Sequence, residues 1–164
     1  MARKGQSVAK RTDRLRHPGP QDAGRRDLTA YLDTSVLVSM FSNDVHTARV
    51  TRWLQGQPEI VLSRWALTEF SSALAVQSRM RKLEDRTRRA LEIQVDGWLP
   101  SRTVLSVQDS DLIEARTLVR GDVRLRAADA LHIAIVIRHG GALATLDAGM
   151  AAVAADLGVE VIVP

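Results

Sequence analysis

Four carboxylates stand where carboxylates are expensive. Asp and Glu are rarely buried unless they are paired or bound to a cation, so acids flanked by apolar residues are where chemistry should be sought. Asp33 follows Ala30-Tyr31-Leu32 and precedes Thr34-Ser35-Val36-Leu37-Val38. Glu69 sits in Ala66-Leu67-Thr68-Glu69-Phe70. Asp129 shares a helical face with Ile133 and Val136. Asp147 closes the run Ala142-Leu143-Ala144-Thr145-Leu146. Each has a plainer alternative. Asp33 and Asp147 are well placed to cap helix N-termini, and Glu69 to answer the dipole of the helix it begins. Asp129, too, gains something from its nearness to a helix start. As a set, however, four converging carboxylates would repel one another and raise their own pKa values, a conflict that divalent cations remove. The chain has no cysteine, which excludes a thiolate zinc site, a disulfide framework and a thiol nucleophile. A site of oxygen donors points to Mg²⁺ or Mn²⁺ rather than zinc. Paired ions of this kind activate water and stabilise the leaving oxygen in phosphodiester hydrolysis.

Such a site needs elements that bring its members together. Ala30–Leu32 reads as a short buried strand ending at Asp33, followed by a helix over Ser35–Phe41. Asn43-Asp44 are expected to cap a helix running to Gln55, which Gly56-Gln57-Pro58 stop. Glu59–Leu62 is a second strand. Ser63 is the expected N-cap of a helix from Arg64 to about Arg81, with Leu67, Phe70 and Leu74 at helical spacing. A helix over Leu83–Trp98 stops at Pro100. Thr103–Val107 is a strand, and Asp109–Arg120 and Arg126–His139 are helices. Ala142–Leu146 is a strand ending at Asp147. Met150–Leu157 is a helix, and Val159–Val163 the last strand. Short apolar strands alternating with helices imply an α/β fold with a largely parallel sheet of four to five strands. Parallel sheets place function beyond the carboxyl ends of their strands, where Asp33 and Asp147 lie.

The 164 residues suffice for one domain with a real core; with 45% hydrophobic but only 4% aromatic residues, that core must be aliphatic. The net charge of +4 is unevenly spread: residues 1–27 hold eight Lys/Arg against three Asp, leaving fifteen against sixteen for the rest. With His17-Pro18-Gly19-Pro20 and no periodic apolar pattern, residues 1–27 read as a disordered basic extension, and residues 28–164 as the folded domain. No apolar run approaches the roughly 20 residues of a membrane helix, and no secretory signal is evident. A soluble, cytoplasmic protein with no membrane partner is expected.

The motifs Tyr31-Leu32-Asp33-Thr34-Ser35-Val36-Leu37-Val38, Leu67-Thr68-Glu69-Phe70, Leu125-Arg126-Ala127-Ala128-Asp129-Ala130-Leu131-His132-Ile133-Ala134 and Ala144-Thr145-Leu146-Asp147 resemble a PIN domain. More narrowly, they resemble the VapC-type toxins of type II toxin–antitoxin systems. The first and third motifs are specific in combination; the second and fourth are weak alone. The resemblance spans about Leu28 to Pro164, and the N-terminal extension departs from the family pattern. It implies a three-layer α/β/α fold and an Mg²⁺- or Mn²⁺-dependent endoribonuclease. Asp33, Glu69, Asp129 and Asp147 would be its acidic quartet, with Asp33 and Asp129 the most direct metal ligands. Thr34, Ser35 and Thr145 would support them. It also implies an RNA substrate, a homodimer and a cognate antitoxin that blocks the site, often with an arginine among the acids.

Other residues admit weaker readings. Arg124 and Arg126 are candidates for balancing the charge of the site. His132, three positions after Asp129, reads more readily as a core or interface histidine than as a site residue, and His46 as an ordinary surface residue. The run Arg79, Arg81, Lys82, Arg86, Arg88 and Arg89 could grip phosphates, although such a run is more often a solvated helix face. Trp53, Trp65 and Trp98 read as packing residues. The main rival function keeps the fold and loses the chemistry: a catalytically silent PIN-like module that binds RNA or protein. A phosphoacceptor domain would need a late-strand lysine, and the lysines are Lys4, Lys10 and Lys82. A flap-type DNA nuclease would need clamp insertions for which the chain is too short.

Overall fold

The computed structural model describes residues 29–57 and 59–164, so the basic stretch 1–27 and Leu28 lie outside the described residues. Five strands, β1 (Ala30–Leu32), β2 (Ile60–Ser63), β3 (Thr103–Leu105), β4 (Ala142–Ala144) and β5 (Glu160–Ile162), form one sheet in the order β3-β2-β1-β4-β5. Every neighbouring pair is parallel. The crossovers carry α1 (Thr34–Ser42), α2 (Thr47–Gln55), α3 (Arg64–Arg79), α4 (Asp85–Trp98), α5 (Asp109–Gly121), α6 (Ala127–His139) and α7 (Ala148–Asp156), with a 3-10 turn at Leu99–Ser101.

Because side chains alternate across a strand, each strand feeds two cores. Tyr31, Val61 and Leu143 point to one side, against Ala115, Leu118, Ile133 and Val136 of α5 and α6 and Met150 and Val153 of α7. Leu32, Ile60, Leu62 and Ala144 point to the other, against Val36 and Leu37 of α1, Phe70 and Leu74 of α3, and Leu91 and Val95 of α4. The result is the expected three-layer α/β/α arrangement, with all five strands parallel. Among the described residues no helix is long and apolar enough to cross a membrane.

The topology selects one place for a site. From β1 the chain winds outward through β2 to β3, then crosses back to lay β4 on the other side of β1. The crossovers on either side of β1 leave in opposite directions, so a crevice opens beyond the carboxyl ends of β1 and β4. Asp33 immediately follows β1, and Asp147 lies three residues beyond β4.

Side-chain hydrogen bonds set the boundaries there. β4 is shorter than the apolar run Ala142–Leu146 because hydroxyls take over from the ladder. The amide of Leu146 donates to Ser35 Oγ (2.9 Å) and that of Asp147 to Thr145 Oγ1 (2.9 Å). The helix expected to start at an Asn43-Asp44 cap begins instead at Thr47. Asp44 still holds its first turn, accepting from the amides of His46 (2.8 Å) and Thr47 (3.1 Å). Gly141 is required where α6 hands over to β4: its φ is +103°, and a Cβ would run into the Thr29 carbonyl.

Candidate active site

Asp33, Glu69, Asp129 and Asp147 line a single cleft of about 390 Å³, together with Thr34, Ser35, Asp44, His46 and His132. Among the described residues no lysine or arginine lines it. A larger cavity, about 450 Å³, is bounded by Trp65, Leu112, Val119 and Leu131 and carries no carboxylate among the described residues.

Each acid is fixed by the element that carries it. Asp33 is the N-cap of α1, and its Oδ1 accepts from the amide of Val36 (3.1 Å) and the hydroxyl of Ser35 (2.7 Å). Its Oδ2 accepts from Thr145 Oγ1 (2.8 Å), and only 3% of the residue is exposed. Asp147 caps α7 through Oδ1, which accepts from the Met150 amide (2.9 Å). Asp129 lies in the first turn of α6, where its Oδ2 meets the Arg126 amide at 3.4 Å. Glu69 sits further along α3, beyond the reach of a cap. Its Oε2 takes the Thr34 hydroxyl (2.9 Å) and His132 Nε2 (2.5 Å). Capping and site formation therefore coexist. Among the described residues, Glu69 Oε1, Asp129 Oδ1 and Asp147 Oδ2 have no hydrogen-bond donor.

Burial raises the pKa of Asp33, against the opposing pull of Ser35, His132, Thr145 and the Val36 amide. Burial also raises that of Asp129, and the charges of Asp147 and Glu69 push it further up. Burial alone would raise Glu69 as well, but the hydrogen bond and charge of His132, with the Thr34 hydroxyl, outweigh it and hold that carboxyl below its usual range. Asp129 thus experiences the repulsion expected of facing carboxylates, opposed by the Arg126 amide and by the charge of Arg126.

Three residues were undervalued by sequence reasoning. His132 is indeed buried, at 2% exposure, but it also lines the cleft and binds Glu69. Its spacing from Asp129 was the available signal. Asp44 was read only as a cap and His46 as a surface residue, yet both border the cleft. Nothing in their local sequence separates those roles, because they reach the cleft by the turn between α1 and α2. Of the two arginines offered as charge balance, Arg124 is engaged by Asp122 (2.6 Å) and Asp156 (2.8 Å). Arg126 exposes its side chain, meets Asp129 through its backbone amide, and by its charge pulls the pKa of that carboxyl down, as a charge-balancing residue would. In the basic run, Arg88 and Arg89 share Asp85. Trp98 packs edge-on against Phe41, centroids 5.9 Å apart.

Among the described residues, no group of three or more His, Asp or Glu side chains is arranged to hold a metal ion as it stands. The donor set still fits a hard cation that keeps most of its waters and takes one or two carboxylates directly. Among the described residues, oxygens without donors face a cleft with several acids and no lysine or arginine.

A parallel doubly wound sheet with an acidic crevice at its switch point defines a class of α/β domain. The PIN domain profile matches residues 30–156, and the chain belongs to that family. Among solved structures it is similar to FitAcB from Neisseria gonorrhoeae, at 21% identity and a TM-score of 0.64 over 83% of this chain and 98% of that one. The sarcin-ricin loop cleaving toxin VapC20 of Mycobacterium tuberculosis shares 22% identity, with a TM-score of 0.61 over 76% of this chain and 94% of that one. PAE2754 of Pyrobaculum aerophilum shares 18%, with a TM-score of 0.60 over 88% and 92%. No curated protein matches the chain in sequence.

Proposed function

We propose that the protein is an Mg²⁺- or Mn²⁺-dependent endoribonuclease, the toxin of a toxin–antitoxin pair. The observation that carries the reading is the convergence of Asp33, Glu69, Asp129 and Asp147, from two strand ends and two helices, on one cleft that no lysine or arginine lines among the described residues. Similar structures lend support to the finer assignment: one is named a sarcin-ricin loop cleaving toxin, and another is a toxin–antitoxin complex from Klebsiella pneumoniae. By the same analogy the partners are an RNA substrate, a cognate antitoxin and a second copy of the chain.

Asp33 and Asp129 would be the most direct ligands of the ion, with Glu69 and Asp147 completing its surroundings. When bound, the ion would polarise the phosphodiester and lower the pKa of water at the site. The chain itself does the positioning. Ser35, Thr145 and the Val36 amide lock Asp33 in one orientation. Thr34 and His132 turn Glu69. The unengaged oxygens of Glu69, Asp129 and Asp147 accept hydrogen bonds from water and orient it toward phosphorus. Hydrolysis then proceeds without a covalent enzyme intermediate.

The test is cleavage of total RNA by the purified protein with Mg²⁺ or Mn²⁺, against EDTA and against Asp33→Asn and Asp129→Asn, with the cut ends sequenced. Metal-dependent cuts lost in both variants are expected. Equal behaviour of wild type and variants, with neither cuts nor bound metal, would leave the silent binding module as the better account.

A further inference from the structure

An RNA strand entering the acidic cleft would bring phosphate oxygens that accept hydrogen bonds, and the cleft holds few side chains to donate them. Four of those that line it can: Thr34, Ser35, His46 and His132. Three are already committed. The Thr34 hydroxyl goes to Glu69 Oε2 (2.9 Å) and that of Ser35 to Asp33 Oδ1 (2.7 Å). His132 is occupied at both ring nitrogens, Nδ1 by Tyr31 (2.8 Å) and Nε2 by Glu69 (2.5 Å). The ring of His46 caps no helix amide, and among the described residues it has no hydrogen-bond partner. It is exposed, and an imidazole carries at least one N–H whether neutral or protonated.

The turn that carries this ring is built to stay in place. α1 ends on Asn43 in the left-handed conformation, with φ +53°, which Asn tolerates better than most residues. Asp44 then ties the turn together. Its Oδ1 accepts from the hydroxyl of Ser39 (2.7 Å), a fully buried residue of α1, and from the amides of His46 (2.8 Å) and Thr47 (3.1 Å). Thr47 Oγ1 accepts from the Asp44 amide (2.8 Å) and donates to the Ser39 carbonyl (2.6 Å). These bonds fix the backbone of His46 against α1 and leave its side chain to the cleft. A donor whose backbone is set in advance gives up less freedom when a ligand arrives.

We propose that His46 binds the substrate strand: a ring N–H donates to a non-bridging phosphate oxygen of RNA lying in the cleft. The contact rests on the nuclease reading of that cleft. An imidazole suits the place, because a lysine or arginine there would instead pair with the acids.

The probe is a labelled RNA oligonucleotide spanning a cut site that the sequenced ends reveal, cleaved by the full-length protein in Mg²⁺. His46→Ala and His46→Phe should raise KM about tenfold, the scale of one hydrogen bond to a charged group, with little change in kcat. His46→Gln and His46→Asn set an amide donor near the place of Nε2 or Nδ1, and one of the two should recover most of the loss. Because the ring is exposed and is no ligand of the ion, the melting temperature and its rise with Mg²⁺ should be the same in all four variants as in the wild type. A wild-type KM in His46→Ala overturns the proposal, as does a loss confined to kcat. A wild-type KM in His46→Phe alone would mean that the ring stacks on a base, and the phosphate contact would fall. A lost Mg²⁺ response would move His46 from the strand to the ion and overturn it too. If the wild type cuts no RNA, the nuclease reading fails, and fluorescence anisotropy with a labelled single-stranded RNA of mixed sequence in the same buffer decides the contact. Weaker binding in His46→Ala with recovery in an amide variant would keep it; equal binding, or none to the wild type, would remove it.

Discussion

Asp33 and Asp111 are both almost wholly buried, at 3% and 1% exposure, and both sit at the start of a helix, but they are treated in opposite ways. Asp111 is met by Arg138 through two bonds, Nε to Oδ1 at 2.5 Å and NH2 to Oδ2 at 3.0 Å, and by the Gln108 amide at 2.8 Å. Although burial would raise its pKa, these partners outweigh burial and hold it low. Among the described residues Asp33 has hydroxyls and one amide but no lysine or arginine, and its pKa is raised. A buried acid matched to an arginine inside the protein is a brace between α5 and α6. A buried acid at a cleft, held by hydroxyls rather than by an arginine, is the kind of group for which the proposed function needs a cation from outside.

The sharpest break of that comparison is chemical. Asp33→Asn should reduce RNA cleavage by roughly a thousandfold while leaving the denaturation midpoint unchanged or raised, since it removes an uncompensated charge. Asp111→Asn should do the reverse: specific activity is retained, and urea denaturation shows a loss of about 2 kcal/mol, because Arg138 loses its charged partner.

Mg²⁺ should extend the contrast. At about a hundredfold excess over Kd it should raise the melting temperature of the wild type by about 5–10 °C. Asp111→Asn should show the same rise and Asp33→Asn none; equal rises in all three would mean that the ion binds elsewhere.

Acid titration separates the brace again. The folded pKa of Asp111 lies below its unfolded value, so its stabilisation is present above the unfolded pKa, about 3.9, and is lost as pH falls through the lower folded value. Stability measured below about pH 4 should therefore fall less steeply in Asp111→Asn than in the wild type.

The smallest effect is expected at Thr145, whose hydroxyl joins Asp33 Oδ2 to the Asp147 amide. Thr145→Val should cost about 1 kcal/mol of stability and about tenfold in cleavage. A loss as large as that of Asp33→Asn would make the hydroxyl itself part of the chemistry.

The amino-acid sequence by itself determined the alternation of strands and helices, the aliphatic core and the four acids, because these rest on local periodicity and on the cost of placing a carboxylate among apolar residues. Ser63 as the cap of α3 and Asp33 and Asp147 at strand ends were legible for the same reason. Only the tertiary structure decided that β1 lies between β2 and β4, and hence that Asp33 and Asp147, 114 positions apart, border one crevice. It alone showed that Arg124 is committed to Asp122 and Asp156, that Arg138 rather than a site residue answers Asp111, and that His132 reaches from Tyr31 to Glu69. Periodicity reports which face of an element is buried; which partner waits there depends on residues distant in the chain, and only the packing of the layers brings them within hydrogen-bonding distance.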